Sequence, residues 1–557
     1  MQKLIRILSL ILAIVMLAGL LGCAAKPAVT PDATLADPEQ LTSEETVAEP
    51  RNDLTSTETA TTDEVIEWHR NAEGKIEVVA ANTQSLTSLD FMDGADGGMV
   101  RCMWDMIYDT LIDDANQNGD YQPRLATSWE HTDDYKEWTF KLREGVTFHS
   151  GNPFTSYDVA VTMQRILDNK GKLKRITGLW TYLDSYEVID GYTIKLYFSE
   201  TYGIPFMDLA KMPILDGKAY EEMGGAYFTD GYLSGTGKWK FKDFVDGQYI
   251  SVEKSDNYWN PDWSTNVDVF TLRFITEASS MTSGLLSGEI DAVARVDSDQ
   301  ALLLQNNPDL TMGITHSTSF IFLGFQCGST TDSPFKETNV RKAFSYAIDR
   351  QAICDNILGG GTPMMWWFPE GVVGYREKEV IYNPDLAKEL LADSNYNGEE
   401  ILIYVNTVAT AGESIMLAVC DMARAVGFNC KIQMGDQAFL SQVRTNDQYI
   451  AYCVTGTAVV DYGNDTYQKW VNKEDNKGYW NCYENEEFAA LLDEMDTTAD
   501  REKRDELEAQ IAQIMYDEVA PGVPILRYDF YTCVRNGLKG VLFPPSGYYY
   551  FDDIYLE

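Results

Sequence analysis

The sequence predicts an α/β protein folded as two lobes joined by a hinge, and three observations lead there. Two-residue turn signals between apolar strand-like runs fill the first half of the chain. A strand–helix–strand pattern, the mark of a parallel sheet, occupies the second half. An apolar segment beyond Pro521 then supplies late strands, most economically returned to the first lobe. With 557 residues and 45% hydrophobic content the chain can bury more than one core.

The N-terminus reads as an export signal. Lys3 and Arg6 precede an apolar run, Ile7 to Leu21, too short to span a bilayer comfortably. The run ends Leu20-Leu21-Gly22-Cys23, which resembles a bacterial lipobox. The expectation is a signal peptide over 1–22 and a diacylglycerol on Cys23. The anchor places the protein on the extracytoplasmic face of the cell membrane. Residues 23–70, rich in Ala, Thr, Pro and Glu, lack the apolar surface to fold and are expected to be a flexible acidic tether. No second long apolar run follows.

Removing Lys3 and Arg6 with the leader takes the formal charge from −42 to −44. Such a surface repels nucleic acid and anionic lipid. Of nine cysteines, the eight beyond Cys23 form no C-x-x-C pair, and most lie in apolar runs, so they read as buried thiols. The four histidines are scattered, so no metal or haem site is expected.

The folded part opens with a strand near Ile76–Ala80. Trp138, Phe140 and Leu142 alternate with polar residues as in a half-buried strand. Thr155-x-x-Asp158 is a capping box for a helix over 159–167. Asp190-Gly191 and Asp246-Gly247 are hairpin turns. Apolar residues at helical spacing predict one helix over 339–358, stopped by Gly359-Gly360-Gly361. Pro384 opens another through Leu391. A strand at 401–405, a helix to Ala425 and a strand at 430–434 make the parallel unit. A charged helix follows over 499–517, then the apolar Val523–Leu526. Asp114 to Gly119 imitates a calcium loop, but its twelfth position is Leu125, so a polar hairpin turn is the expectation.

A set of blocks in fixed order carries a family resemblance. Pro123-Arg124-Leu125-Ala126-Thr127-Ser128-Trp129 runs on through Trp138 to Asp158-Val159. Gly235-Thr236-Gly237 with Tyr258-Trp259, then Gly288-Glu289-Ile290-Asp291, then Pro334-Phe335 with Val340 to Arg350, follow. Together they resemble family 5 extracytoplasmic solute-binding proteins of ABC importers, the dipeptide, oligopeptide and nickel-binding class. The resemblance implies a periplasmic-binding-protein-like fold with an extra subdomain in the N-terminal lobe. On that basis 71–100, 206–313 and 527–557 form lobe I, 101–205 the extra subdomain, and 314–526 lobe II. His149 reads as a turn residue, and Arg341, Asp349 and Arg350 as helix-surface ion-pair residues.

The resemblance also implies a site. Val460-Asp461-Tyr462 falls where the family carries its "ADY" motif, whose Asp meets the ligand's α-amino group in peptide-binding members. Asp461 and Tyr462 are therefore ligand candidates. The Asp-Pro that follows in the family is absent, and a strand-end Asp capping a turn is the alternative. Gly456 and Thr457, on the preceding strand, offer main-chain groups to an extended ligand. Trp366 and Trp367 are candidates for a side-chain pocket, with plain packing as the alternative. No partner for a ligand carboxylate is evident. The expected role is capture of a peptide by a monomer without cofactor or catalysis, and its delivery to a membrane permease. An oligosaccharide, a nickel complex, or a surface hydrolase or adhesin are the alternatives.

Overall fold

The computed structural model describes residues 68–86, 88–94, 98–114, 119–296, 298–328, 332–406, 411–435, 439, 451–457, 484–545, 547 and 549–557. Strand β1 (Glu77–Asn82) leads to helix α1 (Gly98–Ile107). The antiparallel pair β2 (Ile112–Asp113) and β3 (Gln122–Pro123) flanks the calcium-loop look-alike. Next come β4 (Ala126–His131), β5 (Glu137–Leu142), β6 (Leu183–Asp190) and β7 (Thr193–Phe198), an antiparallel sheet in the order β4-β5-β7-β6. Trp138, Phe140 and Leu142 are its buried face. Helix α2 (Ser156–Asn169) starts at the expected capping box of Thr155 and Asp158.

The chain continues through β8 (Trp239–Val245), β9 (Tyr249–Lys254), β10 (Val269–Phe274), helix α3 (Ala278–Ser287), β11 (Ala292–Val296) and β12 (Leu310–Thr315). It then enters a second sheet with β13 (Ser319–Phe325), whose seven residues are all buried. Helices α4 (Thr338–Tyr346) and α5 (Arg350–Ile353), strand β14 (Thr362–Pro363) and helix α6 (Pro384–Ala392) follow. After them come β15 (Glu400–Asn406), α7 (Gly412–Val426), β16 (Asn429–Gly435), β17 (Ala451–Thr457), α8 (Glu486–Asp496), α9 (Arg501–Glu518) and β18 (Gly522–Arg527). The second sheet runs β14-β18-β13-β17-β15-β16, with β15 and β16 parallel as the sequence pattern requires. The chain crosses back, and β19 (Phe530–Arg535) inserts between β11 and β12. The first sheet is then complete as β12-β19-β11-β1-β10-β9-β8.

Each large sheet anchors its own apolar core, giving two lobes. The crossings fall at 316–318 and 528–529, slightly beyond the lobe boundaries read from the sequence. A further contact lies away from them. Ile204 is buried in the second lobe's core, and a Cβ on Gly203 would meet Arg504 Nη1 at 2.3 Å. Six described cysteines, at 102, 327, 354, 420, 430 and 533, are buried.

The helix expected over 339–358 is interrupted, and its two arginines are buried. Asp349 accepts from Ala352 N at 2.9 Å, so it caps a new helix instead of continuing the old one. Arg350 is 1% exposed and donates to the carbonyls of Ser345 and Pro524 at 3.0 Å and to Ser345 Oγ. Arg341, also buried, binds the carbonyls of Phe335, Lys336 and Glu518. Both guanidiniums tie backbone carbonyls together, and Arg341 also pairs with the Glu518 carboxylate at 3.3 Å, so its expected ion pair is present while its expected surface position is not.

The family blocks converge in the same structural way. Asp109 has no exposed surface. It receives the Arg124 guanidinium, Thr236 Oγ1 at 2.9 Å and Trp259 Nε1 at 2.8 Å. Gly235 and Gly237 lie so close to α1 that a Cβ would fall 1.9 Å from Ile107 O and 2.4 Å from Met106 O. His149 Nε2 meets Gly237 O at 2.9 Å in the expected turn, and burial pulls its pKa down to about 4. Asp291, from the last turn before β11, accepts from Val79 N at 2.9 Å and faces Arg535, so it locks β1 to β19.

Two predictions follow from these buried acids. Asp109→Asn leaves Arg124 with Asp113, at 3.2 Å, as its ion partner and should cost about 2–3 kcal/mol in urea denaturation, whereas Thr236→Val should cost about 1 kcal/mol. Asp208 accepts from Leu179 N at 2.7 Å, yet burial raises its pKa from 3.8 to about 6. The folded state therefore holds a proton that the unfolded chain has released between those values. This group adds stability at low pH and loses it as pH rises through the window. In Asp208→Asn the drop in melting temperature from pH 4 to pH 6 should be smaller than in the wild type.

Candidate functional site

Strand direction brings one edge of each sheet to the crossings. In the first lobe β1, β10 and β11 are mutually parallel, and β19 runs against β11. The C-terminal residues Val296 of β11 and Thr315 of β12 pair with Tyr531 and Phe530, where β19 begins. In the second lobe β15, β16 and β17 are parallel, and β13 runs against β17 and β18. Ser319, the first residue after one crossing, therefore faces Thr457, the last residue of β17. Arg527 ends β18 at the other crossing. The carboxyl ends of both parallel sets thus meet the crossing segments.

The crossings are tied together. Ser317 is fully buried, its hydroxyl donates to Tyr528 O, and it accepts from Ser319 N at 3.1 Å. Tyr528 N donates to Ser319 O at 3.2 Å, and His316 Nδ1 lies 3.1 Å from Asp529 Oδ1.

The second sheet also has a switch point. From β15 the chain passes through α7 to β16 on one side, whereas from β17 it passes through α8 and α9 to β18 on the other. Open α/β sheets bind ligands in the crevice outside such a point, at the carboxyl ends. Pairing there is incomplete. β13 covers β17 from Ala451 to Thr457, but β15 pairs only with Ala451 to Cys453. Among the described residues, Val454 to Thr457 therefore keep one strand edge without a partner. That edge can accept an extended backbone by strand addition.

The candidates from the sequence divide as follows. Gly456 and Thr457 lie on this edge, at the end of β17. Asp461, Tyr462 and Cys23 lie outside the described residues. Asp461 is four residues past Thr457 in the sequence. Trp366 and Trp367 are 4% and 1% exposed and both belong to the second lobe's core. Trp367 packs on Phe322 at 5.5 Å between centroids, in the core. Trp366 donates to Gly374 O at 2.8 Å and walls a cavity of about 440 Å3. That cavity also holds Arg527, a residue that sequence reasoning missed. Its hydrogen-bond partner, Thr362, is 165 positions away in the chain. Among the described residues no group of histidine, cysteine or carboxylate side chains has the arrangement of a metal site. Likewise no described helix is long and apolar enough to cross a membrane.

Comparison with known proteins agrees with this architecture. The chain is 24% identical over 474 residues to heme-binding protein A of Haemophilus influenzae, covering 79% of this chain and 85% of that one. It is 24% identical over 475 residues to di/tripeptide-binding protein 1 of Pseudomonas aeruginosa, covering 76% and 84%. The ABC transporter substrate-binding protein CtaP of Listeria monocytogenes superposes with a TM-score of 0.74 at 21% identity, covering 86% of this chain and 99% of that one. Residues 120–479 match the middle region of the bacterial extracellular solute-binding proteins, family 5, and the chain belongs to that family.

Proposed function

We propose that this protein is the lipid-anchored receptor of an ABC importer, and that it captures short peptides between its lobes. The observation that carries the reading is the bare edge of β17 at the switch point. Among the described residues Val454–Thr457 are paired on one side only, and a few residues on in the sequence stands Asp461. A peptide main chain pairs with Val454–Thr457, while the Asp461 carboxylate takes its α-ammonium. Main-chain pairing reads no side chains, which suits a receptor for many sequences. The crossings act as the hinge, and ligand contacts from both lobes stabilise the closed form that a permease recognises. The di/tripeptide-binding relative supports the choice of cargo. The protein acts as a monomer, held to the outer face of the membrane through Cys23.

Calorimetry on the mature protein with a panel of short peptides tests this. Free-amine peptides should bind, their N-acetylated forms should bind at least roughly tenfold more weakly, and Asp461→Asn should erase that difference. Silence across the panel, with tight binding of haem or an oligosaccharide instead, would overturn the cargo assignment. For the anchor, the intact mass of protein from bacterial membranes should show a diacylglyceryl adduct at the N-terminus. Cys23→Ser should abolish it and release the protein from the membrane fraction.

A further inference from the structure

Arg527 sits at the end of β18, partly buried, beside the crossing. Its Nη2 donates to Thr362 Oγ1 at 2.9 Å. Its Nε is shielded from solvent and has no acceptor among the described residues. No described carboxylate forms an ion pair with it. The side chain projects into the cavity of about 440 Å3 whose apolar wall is Met364, Met365, Trp366, Phe368 and Tyr375.

The other cations around this cavity are engaged. Arg350 is spent on buried carbonyls, and Arg376 pairs with Asp505 at 2.6 Å. Lys378 meets Gln513 at 2.9 Å and lies over the Trp366 ring. Of the acids, Asp349 is a helix cap, while Glu370 and Glu377 are exposed at the rim. A guanidinium with a shielded, unmatched N–H next to an apolar wall is built for a planar anion that carries an apolar group.

Register links this cation to the proposed peptide edge. Arg527 pairs with Phe320 on β13, and Phe320 pairs with Gly456 on β17. Two strand spacings separate Arg527 from Gly456, about 10 Å, and a strand added on the open edge, which faces away from β13, lies one spacing further, about 14 Å in all, the span of roughly four extended residues.

We propose that Arg527 binds a carboxylate of the captured ligand, and that the adjoining cavity takes the apolar group next to it. The proposal rests on capture at this end of the sheet, and it supplies the anionic subsite that the sequence left unassigned. The carboxylate is either the C-terminus of a peptide or an acidic side chain.

Ligand-detected saturation-transfer NMR tests the subsite without any peptide. On the mature protein 3-phenylpropionate should give a signal severalfold stronger than 3-phenylpropionamide. The preference should vanish in Arg527→Gln and Arg527→Met and persist in part in Arg527→Lys, with melting temperatures checked for each. Equal signals from acid and amide on the wild type would overturn the proposal, and so would an acid preference that survives in a folded Arg527→Gln. Calorimetry with peptide pairs then separates the sources. Loss of about tenfold on C-terminal amidation assigns the terminus, and the same loss on Glu-to-Gln exchange assigns a side chain. No loss in either pair, from peptides that bind, again overturns it. If the acid preference holds but no peptide binds, the peptide reading fails and the carboxylate subsite stands.

Discussion

The Ser317 hydroxyl donates to the Tyr528 carbonyl, while its oxygen accepts the Ser319 N–H. This buried clasp joins the two places where the chain passes between lobes. Sheet register propagates from it in both directions. Ser319 sets the end of β17 through its pairing with Thr457, and Phe530 sets the end of β12 through its pairing with Thr315. Side chains alternate along a strand, so a slip of one residue would turn every inward face outward. β13 is buried along its whole length and has no face to give to solvent. Neither crossing can shift without unmaking a core. The carboxyl edges of the parallel strands are thereby held at the crossing segments.

Around that frame the residues that mark the family serve the scaffold. Arg124, Thr236 and Trp259 come from two separate blocks and end on one buried carboxylate, Asp109. Asp291 ties β1 to β19, and Arg350 ties α4 to β18. A buried polar group must be matched, so each such node tolerates little change. Ligand contacts face no such demand from the fold. Relatives named for haem and for di- and tripeptides resemble the same chain at similar identity, as expected when the scaffold is shared and the cleft is not.

Where a signal is local, the sequence carries it well. Asp190-Gly191 joins β6 to β7, Thr155 and Asp158 cap α2, and Asp500 caps α9 just inside the start expected at Ala499. The parallel β15–β16 unit was legible from a strand, a helix and a strand of the right lengths. Signals set by tertiary partners were not. Arg350 looks like a surface residue because lone carbonyls, which any sequence has, are what bury it. Trp366 and Trp367 look equivalent until the fold packs both into the core and leaves Trp366 lining a cavity as well. Arg527 is silent in the sequence because every group that defines its pocket lies far away in the chain. Asp461, outside the described residues, is a candidate through a motif alone.

The central claim, that a ligand adds to the free edge of β17 between the lobes, is tested most directly by amide hydrogen exchange with and without a bound cargo. Exchange should slow at Val454–Thr457 and in the segments that follow β1 and β11, with little change in the four-stranded sheet. Protection confined to that sheet or to the outer helices, with β17 unchanged, would contradict the account.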